Sequence, residues 1–340
     1  MVDEAGAACA GAWRAFTGSS ESHTLRRLLR GHIHESYVVE SGGAPIAVLQ
    51  KLNRAVFRNP RVLIANAEVI EPFVRGRVAA RMLTKSNEPC VIDAAGEYWR
   101  AYAHLGPSRN MDLPESSTQC FAAGAAFGGF QAALEDLPPD QLRISIKGFQ
   151  DFKVAAGQFD LAIKSDSYGR LSSSSHLAND LGIRKGQVPA LSGPFGIVHG
   201  DCKFNNIQFD ASGERVVAVL DLDTVMWHRR ALDFGDLVRA GAVHGSEDDV
   251  DAEIDLERVS AFAAGFRDGI GALAPKSQAL FDALLHVTFM LALRFYSDHL
   301  HGDAYFHIEA PEDNLRRAQG QLALFKQLVR RRVELLEACK

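Results

Sequence analysis

The hydrophobic pattern of this chain changes period once, at Leu105-Gly106-Pro107-Ser108, and that change limits its fold more than any other feature. Before it, short apolar runs alternate with glycine-bearing turns. Tyr37-Val38-Val39 precedes Ser41-Gly42-Gly43, residues 44–52 follow, and residues 81–84, 90–93 and 98–103 repeat the pattern around Ala94-Ala95-Gly96-Glu97. Residues 5–16 fit a short helix, 25–29 lead into a first strand, and 59–71 have helical spacing with Pro60 in the first turn. After the change, the helical period dominates: residues 116–134, with a serine available as cap, then 152–171, 176–181, 233–240, 250–268, 278–300 and 314–339. The chain therefore reads as α+β, with a strand-rich part and hinge over residues 1–105 and a mainly helical part over 106–340.

With 47% hydrophobic residues in 340, there is material for a substantial core. A net charge of -5 supplies no basic field to hold nucleic acid or an anionic membrane, so the expected partner is a small soluble molecule, and no obligate protein partner is indicated. Cys9, Cys90, Cys120, Cys202 and Cys339 are odd in number and lack any CxxC spacing, which argues against a disulfide framework or a zinc site and for a reducing cytoplasm. No charged-then-apolar leader opens the chain. Residues 279–295 are apolar but carry Asp282 and His286, which suits a buried helix better than a membrane span.

Residues 197–223 concentrate the polar chemistry. Two β-branched runs, 196–198 and 216–220, each end in polar residues: His199-Gly200-Asp201 after the first and Asp221-Leu222-Asp223 after the second. Asn205 and Asn206 lie between them, with a reversal expected at Ala211-Ser212-Gly213. Phosphoryl transfer needs a carboxylate to orient or deprotonate the acceptor hydroxyl, and hard oxygen ligands for magnesium. Asp201 fits the first role and Asn206 with Asp221 the second; a regular strand would put Asp223 on the same face as Asp221. His199 is expected to brace the loop, Asp233 and Asp236 to act as cap and bracing residues, and Cys202 to be a buried thiol. Upstream, Gly31-His32-Ile33-His34-Glu35-Ser36 could fold over nucleotide phosphates, although an ordinary hairpin turn fits it as well.

The pattern His199-Gly200-Asp201-x-x-x-x-Asn206 followed by Leu220-Asp221 resembles the aminoglycoside phosphotransferase and choline kinase-like superfamily. The resemblance implies a protein-kinase-like two-lobed fold, ATP and Mg2+ as cofactors, Asp201 as catalytic base and Asn206 and Asp221 as metal ligands. Further motifs are similar to those of the N-acetylhexosamine 1-kinases: GHIHESY at Gly31, LQKLN at Leu49, WRAY at Trp99, DLDTVM at Asp221, DFGDLVR at Asp233 and RFYSDHLHGDAYF at Arg294. Carried over by position, Gly31, His32, Ile33 and Ser36 cover the ATP phosphates, with Gln50 also at the nucleotide. Arg100, Ala101 and Tyr102 belong to the hinge facing adenine, and Arg294 and Tyr305 join Asp201 at the acceptor sugar. The implied activity is phosphorylation of the anomeric hydroxyl of an N-acetylhexosamine. Alternatives are a kinase for another sugar, an amino alcohol or an aminoglycoside, or a nucleotide-binding pseudokinase.

The chain departs from that pattern at His34, where Asn is usual, at Phe149-Gln150-Asp151-Phe152, and at Ala240, where an aromatic is common. These changes bear on the acceptor pocket. Gln50 stands where a nucleotide-pairing lysine is expected, and Lys51 points to the other face of a regular strand.

Overall fold

The computed structural model describes residues 4–18, 23–28, 33–245 and 247–340. Helix α1 (Glu4–Thr17) leads into an antiparallel sheet of β1 (Thr24–Leu28), β2 (Glu35–Ser41), β3 (Ala44–Lys51), β4 (Val91–Ile92) and β5 (Tyr98–Ala103), ordered β1-β2-β3-β5-β4. Strand pleating sorts its side chains onto two faces. Val39, Ala47, Leu49, Trp99 and Ala101 pack with Cys9, Ala12, Trp13 and Phe16 of α1. The alternate residues Ser36, Val38, Val48, Gln50, Arg100 and Tyr102 line a cavity on the opposite face. Helix α2 (Pro60–Ile70) begins at the proline expected in its first turn.

The expected strand over residues 81–84 is reduced to a single bridge between Arg81 and Tyr102, while the Arg81 side chain is drawn to Glu71 at 2.8 Å. At Ala103 the chain leaves this sheet. A second sheet is formed by β6 (Ser108–Asn110), β8 (Ile207–Asp210) and β9 (Val216–Val219), while β7 (Phe195–Val198) pairs with β10 (Met226–Arg229). The reversal at Ser212-Gly213 therefore joins β8 to β9. The two apolar runs read from sequence belong to different sheets, because Ile207–Asp210 forms a strand between them.

The remaining elements are helical, apart from the two-residue pair β11 (Val243–His244) and β12 (Glu253–Ile254). Helix α3 (Ser117–Ala133) is capped by Ser116, whose side chain accepts from Gln119 N. Helices α4 (Phe152–Ser165) and α5 (Leu171–Arg184) are separated at Asp166, which adopts a left-handed conformation. Then come α6 (Ala231–Gly241), α7 (Leu256–Ile270), α8 (Ser277–Leu300), α9 (Asp313–Arg330) and α10 (Arg332–Ala338). Helix α7 starts later than its apolar pattern suggests because Asp255 caps it by accepting from Glu257 N and Arg258 N. Helix α8 is long and apolar enough to cross a membrane by composition, but its window is 83% buried and it packs between α6, α4 and α9 as a core helix.

Helices α3 and α7 meet backbone to backbone. A Cβ on Gly124 would lie 2.4 Å from Phe262 O, one on Gly128 2.4 Å from Phe266 O, one on Gly265 2.0 Å from Phe121 O, and one on Gly269 2.2 Å from Ala125 O. Only glycine permits that approach. The pair buttresses the segment after β7, since Phe127 and Phe130 of α3 set their rings edge-on to His199 at 5.3 and 5.6 Å.

Candidate active site

Strand β7 carries the chain into His199-Gly200-Asp201, and buried hydrogen bonds hold that loop. The Asp233 carboxylate, at the start of α6, accepts from His199 N at 2.8 Å and Gly200 N at 2.9 Å, and also from Gln131 Nε2 of α3 at 2.7 Å. His199 Nε2 lies 2.8 Å from Leu220 O, and Thr224 Oγ1 donates to His199 O at 2.9 Å. Gly200 has φ +84°, and a Cβ there would meet Thr224 O at 2.6 Å, so no larger residue fits. His199 and Asp233 are thus braces, as their positions suggested. Cys202 is fully buried, as expected, and burial pushes its thiol well above the ordinary range.

The loop projects Asp201 into a cavity of about 890 Å³ between the first sheet and the helices. Asn206 Nδ2 donates to Asp201 O at 2.8 Å and to Asp201 Oδ2 at 3.1 Å; Lys203 Nζ pairs with Oδ1 at 3.0 Å. Burial raises the Asp201 pKa, but the Lys203 charge, its hydrogen bond and Asn206 outweigh that and hold the carboxyl below its ordinary value. Lys203 was not singled out from sequence. Its signal was a basic residue two positions after Asp201, close enough in the chain to reach back to it.

Asp221 and Asp223 part company. Strand β9 ends at Val219, Asp221 adopts φ 58°, ψ 73°, and residues 222–224 form a 3-10 turn, so the two-residue strand repeat no longer applies. Asp221 faces the cavity with Asp201 and Asn206. Burial and the neighbouring Asp223 charge push its carboxyl above the ordinary range, against the pull of His34 and Arg100. Asp223 turns into the protein, 4% exposed, to accept from Arg100 Nη1 at 2.6 Å and Nη2 at 2.7 Å, with His34 Nε2 at 2.6 Å. Asn53 N donates to His34 Nδ1 at 3.0 Å, which places the His34 proton on Nε2 as donor to Asp223.

Arg100 therefore lies on the cavity face, under the sheet and against Asp223. Ala101, expected at the nucleotide, is on the opposite face in the core with α1, and its carbonyl accepts from Met82 N. Ile33, Ser36, Gln50 and Tyr102 line the cavity; Gly31 and His32 lie outside the described residues. Lys51 does face away, pairing with Glu35 at 2.5 Å.

The cavity is also lined by Arg239, Ala240, Glu247, Asp249, Gln321 and Leu324, of which only Ala240 was linked to the acceptor pocket from sequence. Arg239 pairs with Asp236 at 3.1 Å and Glu247 at 2.8 Å. Arg294 and Tyr305 do not line it. The Arg294 guanidinium sits among Phe149, Tyr305 and Phe306 at 5.2–5.5 Å, with Tyr305 50% exposed. That cluster reaches the 199–201 loop, because Gln150, next to Phe149, donates through Nε2 to Gly200 O at 2.7 Å.

The donor set suits a divalent ion carried with a nucleotide. Asp201 pairs with Lys203 and Asp223 with Arg100, while burial first and the Asp223 charge second hold the Asp221 carboxyl above its ordinary value, a site that a cation would relieve. Among the described residues no three His, Cys, Asp or Glu side chains form a protein-only metal cage. Magnesium in phosphoryl-transfer sites takes one or two carboxylates and completes its shell with phosphates and water.

Residues 46–274 match the model of the phosphotransferase enzyme family (APH). Solved structures share the fold at low identity. A choline/ethanolamine kinase family protein from Mesorhizobium loti is 15% identical with a TM-score of 0.59, covering 98% of both chains. An aminoglycoside phosphotransferase from Alicyclobacillus acidocaldarius is 14% identical with a TM-score of 0.59, covering 95% of this chain and 96% of its own. A microcompartment-associated aminopropanol kinase is 15% identical with a TM-score of 0.63, covering 96% and 98%.

Proposed function

Because the chain belongs to the phosphotransferase enzyme family, with the kinase-like fold of its solved neighbours, we propose that it transfers the γ-phosphoryl group of ATP to a hydroxyl of a small polar molecule. The acceptor we favour is an N-acetylhexosamine, phosphorylated at its anomeric hydroxyl. The convergence of Asp201, Lys203, Asn206 and Asp221 on one cavity carries the reading of the reaction.

In this proposal residues 1–105 form the nucleotide lobe and hinge, and 106–340 the catalytic and acceptor lobe. Asp201 orients the acceptor hydroxyl and takes its proton as the new O–P bond forms and the bond to the departing diphosphate breaks. Its depressed pKa keeps it an anion, and Asn206 fixes the carboxylate by donating to Oδ2. Lys203, half exposed on its far side, offers its charge to the transferring phosphoryl group. Asn206 and Asp221 would hold Mg2+, which neutralises charge on the nucleotide phosphates when bound. Ile33, Ser36 and Gln50 contact phosphates together with Gly31 and His32, and Tyr102 faces the nucleotide.

The sugar assignment rests on the motif resemblance, with Arg294 and Tyr305 at the acceptor. Gln150 supports it, because its Oε1 is buried beside the catalytic loop without a partner and would accept a hydroxyl or amide proton. An amine-bearing acceptor is the second reading, favoured by the carboxylates Glu247 and Asp249 in the cavity lining. Transfer of labelled γ-phosphate from ATP to a panel of N-acetylhexosamines, other free sugars and amino alcohols tests both. Label on a reducing N-acetylhexosamine supports the first, label only on amino alcohols the second, and no transfer to any acceptor despite ATP binding removes the kinase reading.

A further inference from the structure

Protein kinases set a lysine on the third strand against the nucleotide phosphates and hold it with a glutamate from the following helix. Neither member is in place here. The cavity-facing residues of β3 are Val48 and Gln50, neither of them a cation, and Lys51 turns to the other face. The glutamates of and after α2, Glu68 and Glu71, go to Arg81 at 3.9 and 2.8 Å. A cation is nevertheless present one strand over. Arg100 is the direct register partner of Gln50, which is itself the partner of Ser36, so the three stand in a row across β2, β3 and β5. Hydrogen bonds run along that row: Gln50 Nε2 donates to Ser36 Oγ at 3.0 Å, and Arg100 Nε donates to Gln50 Oε1 at 3.0 Å.

We propose that Arg100 is the phosphate-binding cation of this protein, moved from β3 to β5, with Asp223 replacing the helix glutamate as its counter-ion. This rests on the nucleotide-dependent reading above. Arginine has five N–H donors. Three are used on Gln50 and Asp223, which leaves one hydrogen on each terminal nitrogen for a phosphate oxygen. The Tyr102 ring, 5.4 Å from the guanidinium carbon, covers another side of the group. The bidentate pair pre-orients the fork at 2% exposure, so little rotamer freedom remains to be lost on binding.

The arrangement also joins three segments at one carboxylate. His34 lies just before β2, Arg100 sits on the sheet, and Asp223 lies two residues beyond the proposed metal ligand Asp221; His34 and Arg100 both donate to Asp223. Phosphate grip and metal position are therefore mechanically one unit.

A bland role for Arg100 is to neutralise buried Asp223, and the test separates the two. Calorimetric titrations of ADP and of adenosine, both in EDTA, are compared for the unaltered protein, Asp223→Asn, Arg100→Gln/Asp223→Asn, and Gln50→Lys/Arg100→Gln/Asp223→Asn. Removing both charges together avoids a lone buried ion. We expect the double variant to keep adenosine affinity and lose ADP affinity by on the order of tenfold to a hundredfold, the range of a charged hydrogen bond. Asp223→Asn alone, which keeps the cation but loosens its anchor, should lose clearly less ADP affinity than the double variant, and adding Gln50→Lys to the double variant should restore much of the loss; an equal loss in Asp223→Asn alone overturns the proposal. Unchanged ADP affinity in a folded double variant overturns the proposal. If the variants misfold, the Arg100 guanidinium 15N resonances of the unaltered protein decide: they should move with ADP and stay with adenosine, and no ADP-specific shift overturns it. An unaltered protein that binds neither nucleotide nor nucleoside defeats the kinase reading instead.

Discussion

Two ion pairs beside the same cavity are built differently. Lys203 reaches back two residues to Asp201, a single contact at 3.0 Å with the lysine side chain 46% exposed. Arg100 and Asp223 are 123 residues apart, both almost fully buried, and joined by two parallel bonds at 2.6 and 2.7 Å. In the proposed reaction the first pair would tune the base and should add little to the fold, whereas the second ties the sheet to the segment after β9. A short, wet contact adjusts chemistry; a long-range, dry one fixes geometry.

Substitutions can break this contrast, beginning with the largest effect. Asp201→Asn should lower turnover by about 10²–10⁴-fold with nucleotide affinity nearly unchanged, measured by single-turnover transfer and ADP titration. Near-normal turnover would remove Asp201 as the base. Asp223→Ala should destabilise by about 3–5 kcal/mol in denaturant unfolding, because it strands a buried guanidinium. A loss below about 1 kcal/mol would erase the proposed difference between the pairs.

Lys203→Ala should cost less than about 1 kcal/mol of stability but slow transfer roughly tenfold. It also carries a pH signature. Lys203 depresses the Asp201 pKa, so its loss lets Asp201 take a proton at higher pH, and the acid limb of the rate profile should move upward. An unmoved acid limb would mean that the pair does not tune the base. Arg294→Ala and Glu247→Gln compare the two approaches to Asp201. The one that faces the acceptor should raise the acceptor KM by about tenfold while leaving the ATP KM alone.

The smallest effect is a stabilisation. Asp221 has a raised folded pKa, so its ionised form at neutral pH opposes folding, and stability is recovered as pH falls through that pKa. Asp221→Asn should raise the unfolding midpoint of the ligand-free protein on the order of 2 °C while abolishing the stabilisation that Mg2+-ADP gives. A lowered midpoint would contradict the burial and Asp223 repulsion assigned to Asp221.

The same contrast explains what could be read before the fold was known. Ser116 as a cap, Pro60 opening α2, the 212–213 reversal and the Asp201 to Asn206 spacing are local and need only neighbours in the chain. The change of period near residue 105 coincides with the exit from the first sheet at Ala103. Pleating placed Gln50 and Lys51 on opposite faces as expected, but carrying Ala101 over with its neighbours ignored the same rule. Asp223 was misplaced because β9 ends at Val219 and the backbone turns left-handed at Asp221, a break that apolar periodicity does not signal. The partner of β7 was hidden because Met226–Arg229 is interrupted by a tryptophan, a histidine and an arginine and shows little apolar alternation. Arg294 and Tyr305 came from motif position alone, and motif position says nothing about which cavity wall a side chain reaches.

The glycine seam between α3 and α7 limits how this scaffold could be adapted to new acceptors. Side-chain contacts can be exchanged for others of equal volume, but a contact made of main chain has nothing to exchange, so a saturation library at Gly124, Gly128, Gly265 and Gly269 should return almost only the parent residue. Variation is better placed in the cavity rim, at Ala240, Glu247, Asp249, Gln321 and Leu324, and at Gln150, where a side chain can change while the catalytic loop stays anchored on Asp233.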